Sequence, residues 1–319
     1  MNEFEIIKTY FAADKIQRQD VVVGIGDDAA VLHVPQDQEL VVTTDTLIPD
    51  VHFPKETDPF DIGYKALAVN LSDLAAISAT PAWISLSLTL PENDESWMRS
   101  FSSGLMTLKN HYHIQLVGGD LTKGPLSITI QAMGFVPRQQ ALLRSGAKTD
   151  DLIYVSGTLG DAGLALQYLQ TKRSITDTHV AYLLSRLNRP EPRISLGKNL
   201  GGIANAAIDI SDGLAADLGH ILEESNKGAV IYVDQLPLSL AVTETLPSEE
   251  AIQLALTAGD DYELCFTVPQ KHQSVLQQKM AAENCPISCI GHITASSGFV
   301  LVDKKGNEYH GATKGYKHF

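Results

Sequence analysis

The chain has 319 residues, 44% of them hydrophobic and 19% charged, with a formal net charge of -14. That length exceeds one typical core, so two domains are expected, and the acidic balance argues against nucleic acid or an anionic membrane as partner. No apolar run approaches the ~20 residues of a membrane-spanning helix.

The three cysteines, an odd number, argue against a disulfide framework. The opening MNEFEIIKTYFAADK lacks a basic start followed by an apolar core, so no secretion signal is expected and the cytoplasm is the expected location. Cys285 and Cys289 lack the partners of a zinc site and read as packing residues. The charged fraction is below the usual ~25%. The acidic excess therefore does not reflect a heavily charged surface, and many acids stand inside apolar runs, where an ionised carboxylate is costly unless something answers it.

In chain order, residues 21–32 (VVVGIGDDAAVL) read as a strand, a turn bearing Asp27 and Asp28, and a returning strand. Two adjacent acids there are either a solvated turn or half of a metal site. Residues 39–46 (ELVVTTDT) form a β-branched strand with Asp45 near its end, and a polar loop follows with His52 and Phe53. Helical spacing from Pro59 to Ala79, with Asp58 as cap, puts Asn70 and Asp73 on one face of a helix that is apolar nearly all round. Pro81 is expected to break that helix before the strand AWISLSLTL. A second helix is expected over 92–110, then a strand ending in Gly-Gly-Asp120, a turn and the strand SITIQAMGFV.

The composition shift over 137–149 marks the domain boundary, giving domains 1–138 and 139–319. The second half opens with DLIYVSG, a strand, and a glycine-rich turn into a helix. That turn lacks both the phosphate-loop and the dinucleotide spacing, and reads as either an anion site or ordinary capping. The Arg-rich turn NRPEPR precedes a helix from Ile194. A buried strand then carries Asp209 and Asp212 at its end, and LAADLGHILEES continues as a helix. Residues 255–268 repeat the theme, with Asp260 and Asp261 in a turn before an apolar strand. A further helix, the strand pair SCIGHI and GFVLVD, and a tail complete the chain.

Five separated segments thus place Asp27 and Asp28, Asp45, Asp73, Asp120, and Asp209 with Asp212 at strand ends or on an apolar helix. If several converge, two charges about 4 Å apart cost roughly 4 kcal/mol at an effective dielectric near 20. No basic run answers them; divalent cations would. The donors are all oxygen, with Thr43, Thr44 and Ser211 hydroxyls nearby, which suits a hard ion such as Mg2+. Carboxylate-bound Mg2+ commonly holds phosphate oxygens, so phosphoryl transfer is the leading reaction class. Arg144 and Lys148 are either cations for a nucleotide phosphate or simply solvated.

The segments GIGDDAAVL, TTDTL with VHF, KALAVNLSDLAAISATPAWISLSLTLP, GGDLTKGPLSI, RSGAKTDDLIYVSGTLGDAG, AIDISDGL, AGDDYELCF and KGY, in this order, resemble the thiamine-monophosphate kinase family. GDDAAV and D-x-S-D-G also resemble the wider aminoimidazole ribotide synthetase-like superfamily; the NLSDLAAISATPAW run with GDDYELCF narrows the match. The resemblance implies a two-domain α/β fold with mixed sheets and an N-terminal domain dimerising through its sheet. It also implies ATP with several Mg2+ ions in the cleft between domains, and thiamine monophosphate as the acceptor. By position, Asp28, Thr43, Thr44, Asp45, Asp73, Asp120, Asp209 and Asp212 match metal ligands, Asp45, Asp120 and Asp209 being central to catalysis. Gly119, Asp120, Arg144 and Ser211 match ATP contacts, and His52, Asp260 and Tyr316 match substrate contacts.

Two positions depart from the family pattern: Asp260 where relatives commonly carry Glu, and Tyr316 where the aromatic is often Trp. Two neighbouring enzymes of the superfamily fit less well. No early cysteine lies before Gly24, the first being Cys265, as selenophosphate synthetase would require. No cysteine closes the tail, as the hydrogenase maturation enzyme would require. A non-catalytic nucleotide or metal sensor is the alternative from another class.

Overall fold

The computed structural model describes residues 3–12, 18–170, 173–281, 283 and 285–311. Packing divides the chain into two units, Met1–Leu74 with Ala79–Gln139, and Ala75–Ser78 with Gln140–Phe319.

In the first unit, α1 (Glu3–Ile6) runs into a π-helical turn over Ile7–Phe11. β1 (Val21–Val23) and β2 (Val31–Leu32) pair antiparallel, with Val21 opposite Leu32, as the alternation of apolar runs around a Gly-Asp turn implies. β3 (Gln38–Leu47), α2 (Pro59–Ala76), β4 (Thr80–Leu90), α3 (Glu95–His111), β5 (Gln115–Lys123) and β6 (Ser127–Pro137) follow. The last four strands make one sheet in the order β3-β6-β4-β5, antiparallel except for the parallel pair β4–β5.

The start of α2 is set by Asp58, whose Oδ1 accepts the Phe60 amide at 2.8 Å. Its end comes earlier than the sequence suggests, and proline is not the cause. Ser78 adopts φ 66°, the Ala79 amide reaches back to Leu74 O at 2.8 Å and the Ser78 amide to Ala75 O at 3.0 Å. That pair of bonds is a Schellman closure. Pro81 lies inside β4, where the pairing with β6 slips between Pro81 and Trp83. Asp94 caps α3 by accepting the amides of Ser96 and Trp97 at 2.8 and 3.1 Å. The two helices touch through glycine: a Cβ on Gly63 or Gly104 would fall 2.1 or 1.9 Å from the carbonyl oxygen of Phe101 or Phe60.

Alternation separates the two faces of the sheet. One buries Ile84, Ile128, Ile130 and Ala132 completely. On the other, Trp83, Met133 and Phe135 pack with Val21, Ala30 and Leu32 of the β1–β2 hairpin. Trp83 and Phe135 meet edge to face at 4.9 Å, and the Trp83 Nε1–H donates to Asp20 at 3.0 Å, anchoring the base of the hairpin.

The second unit contains β7 (Leu152–Ser156), α4 (Asp161–Leu169), α5 (Asp177–Asn188), α6 (Ile194–Leu200), β8 (Ala206–Asp209), α7 (Leu214–Ser225), β9 (Gly228–Tyr232), α8 (Leu240–Thr245), α9 (Ser248–Thr257), β10 (Leu264–Val268), α10 (Gln273–Met280), β11 (Ile287–Thr294) and β12 (Gly298–Val302). Its sheet runs β12-β9-β11-β7-β10-β8, with only β12–β9 parallel. β9 lies between β11 and β12, so the last two strands are not paired with each other. Residues 255–257, read from sequence as part of the turn into β10, close α9 instead. The core joins Ile153, Val155, Ile208, Leu214, Leu218 and Ile231, all buried. Cys265 and Cys285 are buried thiols and Cys289 is half-buried. Among the described residues, no helix is long and apolar enough to cross a membrane.

Replacing Asp94 with alanine frees two amides at the start of α3, and should lower stability by about 1 kcal/mol in urea unfolding without changing activity.

Candidate functional site

The first cluster lies where α2 meets the edge strand β3. Thr43 Oγ1 donates to Asp73 Oδ2 at 2.5 Å, and the Asp45 amide donates to Asn70 Oδ1 at 3.2 Å. Asn70 is itself held by its Nδ2 on Ala66 O at 3.0 Å. Strand alternation sends Thr43 and Asp45 to the same face, and the helical spacing of three aligns Asn70 with Asp73. Burial, and then the charge on Asp73, push the Asp45 carboxyl up to about 7. Two carboxylates and a hydroxyl brought together in this way fit a hard cation, whose charge would relieve both causes.

A second group belongs to the hairpin side of the same sheet. Asp27, Asp28, Ser85, Gly119, Asp120 and Gln131 are among the residues lining a cavity of about 730 Å³. Asp27 Oδ1 accepts the Asp28 amide at 2.8 Å, folding the turn on itself. Asp120 lies within β5 rather than at a strand end. It pairs across to Ser87, Thr129 and Thr46 in turn, whereas Asp45 pairs to Ile130, Leu86 and Gly119. The two carboxylates therefore belong to alternate faces, on opposite edges of the sheet. Thr44 is exposed and shares the face of Gln131, whose Nε2 approaches its Oγ1 at 3.5 Å. Among the described residues, no three His, Cys, Asp or Glu side chains are grouped closely enough to hold a metal by themselves. Mg2+ commonly takes one or two carboxylates and completes its shell with water and substrate phosphate, so pairs of acids remain a fitting donor set.

His52 sits in the loop after β3. Its Nδ1 accepts the Ile48 amide at 3.1 Å, which leaves the ring proton of the neutral form on Nε2. Its carbonyl receives Nζ of Lys65, a lysine 2% exposed, at 3.1 Å. The loop is thereby tied to α2, the helix that carries Asp73.

In the second unit, Asp209 ends β8 and is buried. The amides of Ser211, Asp212 and Gly213 all donate to Asp217 Oδ2 at 3.0 Å, which shapes the turn entering α7. Burial pushes the Asp217 carboxyl up to about 7, against the pull of those amides. The Asp260 amide donates to Ser211 O at 2.9 Å, so the structure brings Asp209, Ser211, Asp212 and Asp260 into two adjoining turns. Arg144 is exposed, and its carbonyl accepts Ser225 Oγ at 3.2 Å at the far end of α7. Its backbone is thus separated from the Ser211 turn by the length of the 12-residue helix, about 18 Å at 1.5 Å per residue. Lys148 is also exposed. Tyr316 lies outside the described residues.

The glycine-rich turn before α4 is closed internally, because the Gly160 amide donates to Asp261 Oδ2 at 2.7 Å. Reading the sequence missed the charges gathered beneath it: Glu263, 0% exposed, takes both Arg186 and Arg193. Asp161, also 0% exposed, takes the hydroxyls of Thr158, Tyr182 and Ser239 at 2.5, 2.8 and 2.5 Å. The Arg-rich turn was visible, but no local spacing links Arg193 to a glutamate seventy residues on.

The model of the AIR synthase related protein N-terminal domain matches residues 26–136, and that of its C-terminal domain matches residues 148–304. The chain is therefore an AIR synthase related protein. The thiamine-monophosphate kinase of Escherichia coli strain K12 is 48% identical over 318 residues, covering 99% of this chain and 98% of its own. A crystal structure of thiamine-monophosphate kinase from Stenotrophomonas maltophilia K279a superimposes with a TM-score of 0.89 at 46% identity, covering 97% of this chain and 98% of that one. AaThiL complexed with AMPPCP and TMP matches at 31% identity and a TM-score of 0.78, covering 99% and 97%. The chain belongs to the thiamine-monophosphate kinase family.

The buried acid of the turn before β10 makes a testable pH signature. Burial pushes the Asp261 carboxyl from the ordinary 3.8 up to about 8, with the Gly160 amide and Arg186 pulling the other way. A folded value above the unfolded one means that the folded state keeps this proton longer. The stability it brings is complete below the unfolded value and is lost as pH rises toward 8. Asp261→Asn retains an acceptor for Gly160 and does not ionise. Its melting temperature relative to the parent chain should therefore rise steadily between pH 5 and pH 8; a constant difference would mean that folding does not raise the Asp261 carboxyl above that window.

Proposed function

We propose that the protein transfers the γ-phosphoryl group of ATP directly, in line, to the phosphate of thiamine monophosphate, releasing thiamine diphosphate and ADP. The observation that carries this reading is the half-buried pairing of Asp45 with Asp73 beside the Thr43 hydroxyl, an all-oxygen set whose charge invites a divalent cation. Family membership supplies the substrates: the relatives are named thiamine-monophosphate kinases, and one is complexed with AMPPCP and TMP.

Thr43, Asp45 and Asp73 would hold Mg2+ on the α2 side of β3, Asp28 and Asp120 would do so beside the cavity next to β5, and Thr44 would contribute separately, at the opposite edge of the sheet. Asp209 and Asp212 are ligands of the same kind in the second unit. Bound Mg2+ would neutralise phosphate oxygens and the charge that spreads over the transferring group. The acceptor is a phosphate monoester with a second pKa near ~6, already largely ionised at neutral pH. It attacks without losing a proton, so the chain needs no general base. The role left to the protein is to orient two anions, a task that accounts for most of the catalysis in phosphoryl transfer. Gly119, Arg144 and Ser211 are the proposed ATP contacts. His52, Asp260 and Tyr316 are the proposed thiamine-side contacts, His52 by donation from Nε2.

The same reading includes a cytoplasmic homodimer formed through the N-terminal sheet. Leu40 and Val42, 42% and 50% exposed on the edge strand β3, support it, because a bare apolar edge readily pairs with another chain. Sedimentation should give twice the chain mass, and Val42→Lys should shift it to the monomer.

Asp45→Asn and Asp73→Asn should each cost at least about 10²-fold in turnover while the cooperative melt persists. A chelator should abolish activity, with added Mg2+ restoring it. Label from γ-labelled ATP should reach thiamine diphosphate without passing through a labelled protein. Binding of ATP with no turnover of thiamine monophosphate would favour a nucleotide sensor and end the kinase reading.

A further inference from the structure

Between α9 and β10 the backbone enters the left-handed region twice. Asp260 stands there at φ 67°, which aspartate tolerates, and Tyr262 at φ 49°, where a bulky side chain is strained. Such a turn persists only where its surroundings determine it. Its side chains alternate, with Asp260 and Tyr262 half-buried and Asp261 and Glu263 fully enclosed.

The inward members are held from several elements at once. Arg193, just before α6, grips Glu263 with both arms, Nε to Oε2 and Nη2 to Oε1, each at 2.6 Å. Arg186, on α5, adds Nη2 to Oε1 at 2.8 Å, and Ser156 Oγ donates to Oε2 at 2.6 Å. The carboxylate lies so close to Gly157 that a Cβ there would stand 2.1 Å from Oε1. Arg186 Nη2 also reaches the Asp261 carbonyl at 3.4 Å. From the other side, the amides of Asp260 and Tyr262 donate to Ser211 O and Ile210 O at 2.9 and 2.8 Å. A bidentate guanidinium fixes direction as well as charge, which a lysine ammonium does not.

We infer that Arg186, Arg193 and Glu263 are positioning residues for the acceptor end of the reaction, aiming Asp260 through the strained turn and setting its place beside the turn of Asp209 and Asp212. This rests on the reading of Asp260 as a substrate contact. The cluster touches no substrate itself and acts only through the residues it holds outward.

The test compares Glu263→Gln and Arg193→Lys, each checked for a cooperative melt, with and without Asp260→Ala. Each single variant should raise KM for thiamine monophosphate about 10-fold, with kcat and KM for ATP changed less than about 3-fold; in the Asp260→Ala background the same change should shrink below about 2-fold. An equal effect in both backgrounds, or equal rises in both KM values, would overturn the inference. If Glu263→Gln fails to fold, Arg193→Lys carries the comparison. Amide exchange in the ligand-free protein supplies a readout independent of turnover. The Asp260 and Tyr262 amides should exchange at least about 10-fold faster in the variants, while Val155 in β7 is unchanged. Unaltered exchange at the turn overturns the inference too. A parent chain that does not phosphorylate thiamine monophosphate would remove the proposed function, and exchange alone would then decide this one.

Discussion

Carboxylates are expensive to take out of water, and the way each is answered organises this protein. In the second unit the answers come from within the chain. Glu263 is gripped by two guanidinium groups, Asp217 by three successive amides, and Asp161 by three hydroxyls. In the first unit Asp45 is instead set against a second carboxylate, Asp73. The contrast separates acids that hold the fold together from the acids proposed to hold a cation.

The arrangement suits a reaction in which both partners are anions. An acceptor that is already ionised leaves no proton to remove, and the work passes to charge neutralisation and aim. The buried ion cluster under the turn before β10 belongs to aim. Two arginines converge on Glu263 while Arg186 also faces Asp161 at 3.5 Å, and the two-point grip of Arg193 fixes direction as well as charge.

Much of this was legible from residues alone. Gly-Ile-Gly-Asp-Asp between a β-branched run and a second apolar run can hardly fold except as a hairpin tip, and β1 and β2 pair as that pattern implies. Asn70 and Asp73 on an almost wholly apolar helix announce a buried polar face, and that face meets β3. Where the reading slipped, a tertiary or backbone effect outweighed a local signal. α2 ends on a left-handed serine three residues before the proline-based estimate, and β5 runs through Gly118 and Gly119 because the parallel partner β4 holds it extended. α5, with Arg186 on it, carried no motif and was passed over.

Sequence by itself carried the resemblance that points to the family, and it determined most strand and helix types and the inventory of oxygen donors, the last two following from side-chain periodicity and residue chemistry. Only the tertiary structure decided which of those donors meet. Asp45 and Asp120 are separated onto alternate faces by strand register, a property of pairing between segments tens of residues apart. Likewise Glu263 finds Arg193 only because β10 and the loop before α6 are folded side by side; distance along a chain carries no record of distance through space.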